Sequence, residues 1–319
     1  MRVLIKGAGV SGLTAARELL ARGAAVTVLE PGGNAAHSAS WYAGGMLAPW
    51  CERESADETV VLEGCNSADW WDAACPGEVC RKGTLVVAPP RDWAELRRFA
   101  SRTSGYAWLD EGGVADLEPA LAGRFRQALF FKGEAHLDPR RALRHLRAML
   151  ERGGVQFRYE VKEATFDTIV DCTGASAIGT VPDLRGVRGE MLLLRTHDVT
   201  LSRPVRLLHP RIPLYIVPRA EGVFMVGATM IESDHHGPVT VRSLMELLNA
   251  AYAVHPAFAE AEVIETGTGI RPAFDNNLPR ITQDGGNFSL NGLYRHGFLL
   301  APAQAQKLAA LLFNQKEET

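Results

Sequence analysis

The chain of 319 residues has no run near the roughly 20 consecutive apolar residues that a membrane-crossing helix needs. It opens on Met1-Arg2-Val3-Leu4-Ile5 and passes straight into a glycine motif, without the apolar core and cleavage site of a secretory leader. Its five cysteines, Cys51, Cys65, Cys75, Cys80 and Cys172, form no CxxC pair and no even framework. That disfavours a disulfide scaffold and makes a reducing cytoplasm the simplest setting. A formal charge of −3 provides no basic field to attract nucleic acid or an anionic membrane. Arg140, Arg141, Arg144 and Arg147 cluster at helical spacing and are expected on a solvated face. No GxSxG and no nucleophilic cysteine arrangement occurs. His235 and His236 beside Asp234 lack further ligands at useful spacing, so no metal is expected. There is no internal repeat and no low-complexity tract, and Asn314 onward is expected to be a frayed tail.

What is present is an ordinary globular composition, 46% hydrophobic and 22% charged. The length suits one large α/β domain or two closely associated ones. Arg2 to Ile5 reads as a buried parallel strand, followed by Gly7-Ala8-Gly9-Val10-Ser11-Gly12. A helical segment, Leu13 to Ala21, presents Leu13, Ala16, Leu19 and Leu20 on one face, and Gly23 ends it. A second strand, Ala25 to Leu29, then leads to Glu30. In this pattern Gly7 allows the tight turn, Gly9 admits a pyrophosphate and Gly12 permits close helix–strand packing. The free N–H groups of Val10 and Ser11 and the helix dipole favour phosphate, while Glu30 is placed to bind ribose hydroxyls. An acid at that position argues against a 2′-phosphate, but the motif does not separate NAD from FAD.

A loop of small residues follows where a simple NAD domain would continue toward a third strand. It contains Pro31-Gly32-Gly33-Asn34, then Ala39-Ser40-Trp41-Tyr42-Ala43-Gly44-Gly45-Met46-Leu47-Ala48-Pro49, and later Glu52. Small residues suit close backbone approach to a flat ligand. Thr168-Ile169-Val170-Asp171-Cys172-Thr173-Gly174-Ala175 reads as a further strand ending in a small-residue turn, a ligand contact far along the chain. Tyr294 to Leu300 leads into a helix expected over Ala301 to Leu312, whose N-terminal dipole could stabilise negative charge.

The fingerprint joined to Ala39-Ser40-x-x-Ala43-Gly44-Gly45-Met46-Leu47-Ala48-Pro49 resembles the D-amino-acid oxidase family of FAD-dependent oxidoreductases, and within it the glycine oxidases of thiamine biosynthesis. The likeness continues through Glu134 to Pro139, Val170 to Ala175, Val187 to Met191, Tyr215 to Arg219, Val226 to Met230, Gly269 to Pro272 and Tyr294 to Pro302. It implies an α/β fold: a discontinuous, Rossmann-like FAD-binding domain over 1–80, 134–185 and 264–319. A largely antiparallel substrate-binding domain over 81–133 and 186–263 would complete it. It further implies FAD held by Gly7, Gly9, Val10, Ser11, Gly12, Glu30, Ser38, Ser40, Gly44, Gly45, Met46, Val161, Thr173, Gly174, Arg271, Arg295, Gly297 and Leu299. Sarcosine oxidases tether flavin through a late cysteine, and none follows Cys172, so non-covalent FAD is expected.

For chemistry, a substrate carboxylate calls for the planar fork of an arginine. The resemblance assigns that grip to Arg271, with Tyr215 offering its phenol, Met230 limiting space near Cα and Arg295 close by. His296 departs from the amide-bearing residue expected beside Arg295. The implied reaction is oxidative deamination of a small amino acid, glycine first, to imine or glyoxylate with ammonia and hydrogen peroxide. Implied partners are dioxygen, a homo-oligomeric copy and a hand-off of iminoglycine to thiazole synthase. Two alternatives stay open: a D-amino-acid or sarcosine oxidase or dehydrogenase, and a flavin-binding protein without turnover.

Overall fold

In the computed structural model, which describes residues 1–32, 38–161, 165–209 and 214–314, two sheets carry the architecture. Gly33 and Asn34 of the small-residue loop, and the tail from residue 315, lie outside the described residues. The first sheet has six strands in the order Arg280–Asp284, Asn287–Asn291, Thr168–Asp171, Arg2–Lys6, Ala25–Leu29, Gln156–Arg158. Arg2–Lys6 runs parallel to Ala25–Leu29 on one side and Thr168–Asp171 on the other. Helices cover this sheet, which explains why Val3, Leu4 and Ile5 are all buried and show no alternation. The α/β class expected from the sequence is thus the observed one.

The helix Val10–Ala21 packs chiefly on the last helix, Gly297–Asn314. Any Cβ at Gly12 would overlap the Gly7 carbonyl oxygen, so helix and strand can meet only with glycine there. The last helix starts four residues ahead of the expected Ala301, and Pro302 lies inside it. Proline there removes the N–H that would bond to the Phe298 carbonyl. The Trp71 indole N–H donates to that carbonyl instead, at 2.8 Å, so the helix continues through the proline. Asp138 caps Pro139–Arg152 as its position before proline suggests, accepting from the Arg140 and Arg141 amides at 2.8 and 3.2 Å. Arg140 on that helix corrects the solvated-face expectation. Its guanidinium donates to both Glu265 oxygens at 2.8 and 2.6 Å and stacks on Trp41, tying the two parts of the molecule together.

The second sheet has nine strands and is antiparallel except where Thr84–Val87 meets Val205–Leu207 in parallel. Its longest element is the ribbon of Arg185–Arg195 with Glu262–Ala273. The expected boundary at 264 falls inside that ribbon, so residues up to 273 lie with the second sheet. Pairing with Arg185–Arg195 continues on both sides of 264, with only a register shift between Leu193 and Leu194 there. Among the described residues no helix is long and apolar enough to cross a membrane.

Candidate active site

A cavity of about 680 Å³ is lined by residues of both sheets and of the loops between them. At one end lies the glycine loop. Gly7 has φ +97°, and a Cβ on it would stand 2.6 Å from the Cys172 carbonyl oxygen. The helix after it has Gly9 at its N-cap with no side-chain cap. Beside Gly9 an added Cβ would meet only the Ser40 hydroxyl, at 3.4 Å, so the space over this helix end is open. The Val10 amide donates to Ser40 Oγ at 3.1 Å, which joins the glycine loop to the small-residue loop. Glu30 accepts from the Ala8 amide at 2.9 Å and the Gly32 amide at 3.3 Å. Across the loop, Asp171 accepts from the Thr173 amide and hydroxyl at 2.9 and 2.7 Å. The Val10 amide, expected to be free, is thus taken by Ser40, while the open cradle over Gly9 at the helix end and the flanking acid remain what the diphosphate and ribose of a dinucleotide require.

The middle of the cavity is walled by Gly44, Gly45 and Met46. Gly45 has φ +73° and lies against the Leu137 carbonyl, so a side chain there would clash. Arg219 fixes this wall by donating to the Gly44 and Leu137 carbonyls, each at 2.8 Å.

At the other end the ribbon delivers Arg271. Its Nη1 donates to the Thr229 carbonyl at 2.9 Å, and its guanidinium lies over Gly189. Burial pushes its pKa down to about 10, which still leaves it charged at neutral pH. Among the described residues no carboxylate lies within ion-pair distance of it.

Around Arg271 stands a network of charged groups. Glu52 is buried, with Oε2 2.8 Å from Arg295 Nε and 3.3 Å from His296 Nδ1. Its Oε1 accepts from the Tyr215 hydroxyl at 3.3 Å. Burial would raise its pKa, but Arg295 foremost and Arg206 with it hold it at about 2, so it stays a carboxylate. Burial pushes the Tyr215 hydroxyl well above its ordinary value, which keeps it a donor. Arg206 donates to the Tyr215 oxygen at 3.1 Å and to the Cys51 carbonyl at 2.7 Å. Arg295 also donates to Ser55 Oγ at 2.7 Å and to Met230 Sδ at 3.4 Å. His296 is driven down to about 4 by burial, against the pull of Glu52, and is neutral at pH 7.

Of the residues singled out in the sequence, Gly7, Gly9, Val10, Ser11, Glu30, Ser38, Ser40, Gly44, Gly45, Met46, Thr173, Gly174, Tyr215, Met230, Arg271, Arg295 and Gly297 all line this one cavity. Three do not. Gly12 packs behind the loop on Gly7, Leu299 is buried in the helical core against Gly64, and half-buried Val161 is not part of the lining. Arg295 lines the cavity with its nitrogens already engaged by Glu52, Ser55 and Met230.

Three residues of the site had drawn no role from the sequence: Glu52, Arg206 and Arg219. A signal for Arg206 existed, since a charge inside Pro204-Val205-Arg206-Leu207-Leu208 must find partners if that strand is buried. Glu52 and Arg219 offered none beyond their place beside the quoted motifs.

Comparison with known proteins agrees with the geometry. The profile of the family described as FAD dependent oxidoreductase (DAO) matches residues 2–311. A Rhizobium etli protein designated a thiamine biosynthesis oxidoreductase, ThiO, is 61% identical over 99% of this chain and 98% of its own. The Nostoc sp. bifunctional protein ThiO/ThiG is 28% identical over 99% of this chain and 53% of its own length. The glycine oxidase of Geobacillus kaustophilus is 25% identical over 99% of this chain and 93% of its own. Its crystal structure superposes with a TM-score of 0.82 and 24% identity, covering 98% of this chain and 95% of that one.

Proposed function

The chain belongs to the FAD dependent oxidoreductase (DAO) family, and from that premise we propose that it oxidises a small amino acid, glycine foremost. The observation that carries this reading is Arg271: a charged guanidinium facing the cavity, pinned over Gly189, with no carboxylate of the protein within ion-pair distance among the described residues. Such a group, desolvated and unmatched, suits a carboxylate brought by the substrate.

The cofactor would be held non-covalently by the fingerprint Gly7 to Gly12 at its diphosphate, by Glu30 at its ribose and by the Gly44–Met46 wall. Bound FAD supplies the two-electron acceptor for oxidation of the Cα–N bond. The protein supplies orientation. Arg271 binds the carboxylate through two parallel bonds, and the Tyr215 hydroxyl adds a third donor when its one proton turns from Glu52 to the substrate. Met230 closes the space next to Cα, which favours the smallest side chains. No side chain here is asked to act as a strong base. His296 is neutral, and Glu52 is held by Arg295 and Tyr215.

The product is an imine, which water hydrolyses to glyoxylate and ammonia, with dioxygen as the final acceptor and hydrogen peroxide as its product. The designation of the R. etli relative and the ThiO/ThiG fusion in Nostoc sp. support a hand-off of iminoglycine to thiazole formation. The test is a coupled peroxide assay on the yellow protein with glycine, sarcosine, D-alanine and L-alanine in parallel. Fastest turnover of glycine is expected. Bleaching of the flavin by an amino acid without air, but no peroxide in air, would replace the oxidase with a dehydrogenase.

A further inference from the structure

Three guanidiniums converge at the substrate end of the cavity, those of Arg206, Arg271 and Arg295. Two have an acid within ion-pair distance: Arg295 has Glu52 at 2.8 Å, and Arg206 has Glu54 at 3.6 Å, which it shares with Arg102 at 3.5 Å. Arg271 has none within ion-pair distance among the described residues. Glu52 lies in the lining between Arg295 and Tyr215, so its charge acts directly on whatever binds beside Arg271.

We propose that Glu52 fixes the substrate class by charge: by matching Arg295 it leaves Arg271, among the described residues of the lining, as the one guanidinium without an acid within ion-pair distance, so the site takes an amine bearing a single carboxylate and rejects dicarboxylic amines. A smaller cavity of about 250 Å³ adjoins the first across Arg206, Met230, Tyr294 and Arg295, and its lining sets Glu54 and the exposed Asp57 beside those two guanidiniums, each of which is already paired. A second carboxylate therefore meets no unpaired cation there, and the charge of Glu52 repels it, which is an effective way to exclude a near-analogue. Glu52 is therefore a positioning and specificity residue, acting through Arg295 and through its own field. This inference rests on the amino-acid oxidase reading.

The experiment compares the FAD-loaded wild type with Glu52→Gln. One readout is kcat/KM for glycine against iminodiacetate, a secondary amine with two carboxylates. The other is equilibrium binding of acetate against malonate, followed by calorimetry. Wild type is expected to prefer the monocarboxylate in both. Glu52→Gln should shift both ratios toward the dicarboxylate by about tenfold or more, because Arg295 is then unmatched. Glu52→Asp should keep the wild-type preference. Removing both charges in Glu52→Gln/Arg295→Met should restore it, which a merely structural role for Glu52 would not do.

Unchanged ratios in a folded Glu52→Gln protein would overturn the proposal, as would a double variant that keeps the dicarboxylate gain. Should Glu52→Gln fail to fold, Arg295→Met alone decides. It leaves Glu52 unmatched near Arg271 and should weaken acetate binding about tenfold, and unchanged acetate binding would overturn the idea. A wild type inert to every amino acid would refute the oxidase reading, while the acetate and malonate titrations would still judge the charge argument.

Discussion

The guanidinium of Arg271 occupies the volume that a side chain at Gly189 would need, so the two residues specify one another across the ribbon of Arg185–Arg195 and Glu262–Ala273. A Cβ at 189 would overlap Nη2 and Cζ of Arg271. Gly189→Ala is therefore expected to displace the carboxylate grip while leaving the fold and the flavin in place. Small misplacements of a binding group are costly to turnover, so KM for glycine should rise roughly tenfold or more. Steady-state kinetics on the flavin-loaded variant checks this, and an unchanged KM would show that Arg271 has room to spare.

Gly9→Val should abolish flavin binding. The open space beside Gly9 would be filled by the new side chain where a diphosphate must approach the helix end. The measurement is the visible spectrum of the purified variant, which should be colourless. A full flavin spectrum would contradict the assignment.

Glu134 gives the protein a pH signature of unusual sign. Burial raises its pKa from 4.5 to about 7, although it accepts from the Cys51 amide at 2.7 Å. For an acid whose folded pKa lies above its unfolded value, the folded state binds the extra proton. The cost of ionising it appears as pH rises from 4.5 through 7. Glu134→Gln keeps an acceptor for Cys51 and should stabilise the protein above pH 7 by on the order of 1–3 kcal/mol, with the gain vanishing near pH 4. Urea unfolding of both proteins across that range checks it. An equal difference at both ends would refute the linkage.

Much of the first sheet was legible because its signals are local. Arg2 to Glu30 carries strand, glycine loop, helix and acid in consecutive order, and a short parallel unit needs nothing from elsewhere. The last helix begins at Gly297 and not at the expected Ala301, and carries Pro302 inside it. Its continuation backward to Gly297 depends on Trp71, more than 200 residues away, taking the Phe298 carbonyl. The charged network was opaque for the same reason. Glu52, Arg206, Tyr215 and Arg295 meet only in the folded state, and their spacing in sequence follows no period. The strand Glu262–Ala273 runs through 264 with no change of composition there, so its pairing with Arg185–Arg195 left no mark in the sequence.

Trp71→Phe follows from that distant contact. It keeps most of the buried ring but strands the Phe298 carbonyl beside Pro302. A buried carbonyl left without a donor costs about 1–3 kcal/mol, and thermal or urea unfolding should show a loss of that size. No loss would mean that another donor or a water serves the carbonyl.

The most direct test of the central claim is the rate of peroxide formation from glycine by Arg271→Ala compared with the wild type, both loaded with FAD. A substrate carboxylate held by a charged pair in a desolvated site accounts for a loss of about 100-fold or more in kcat/KM, with the flavin spectrum retained. An Arg271→Ala enzyme that oxidises glycine as well as the wild type would show that the carboxylate binds elsewhere.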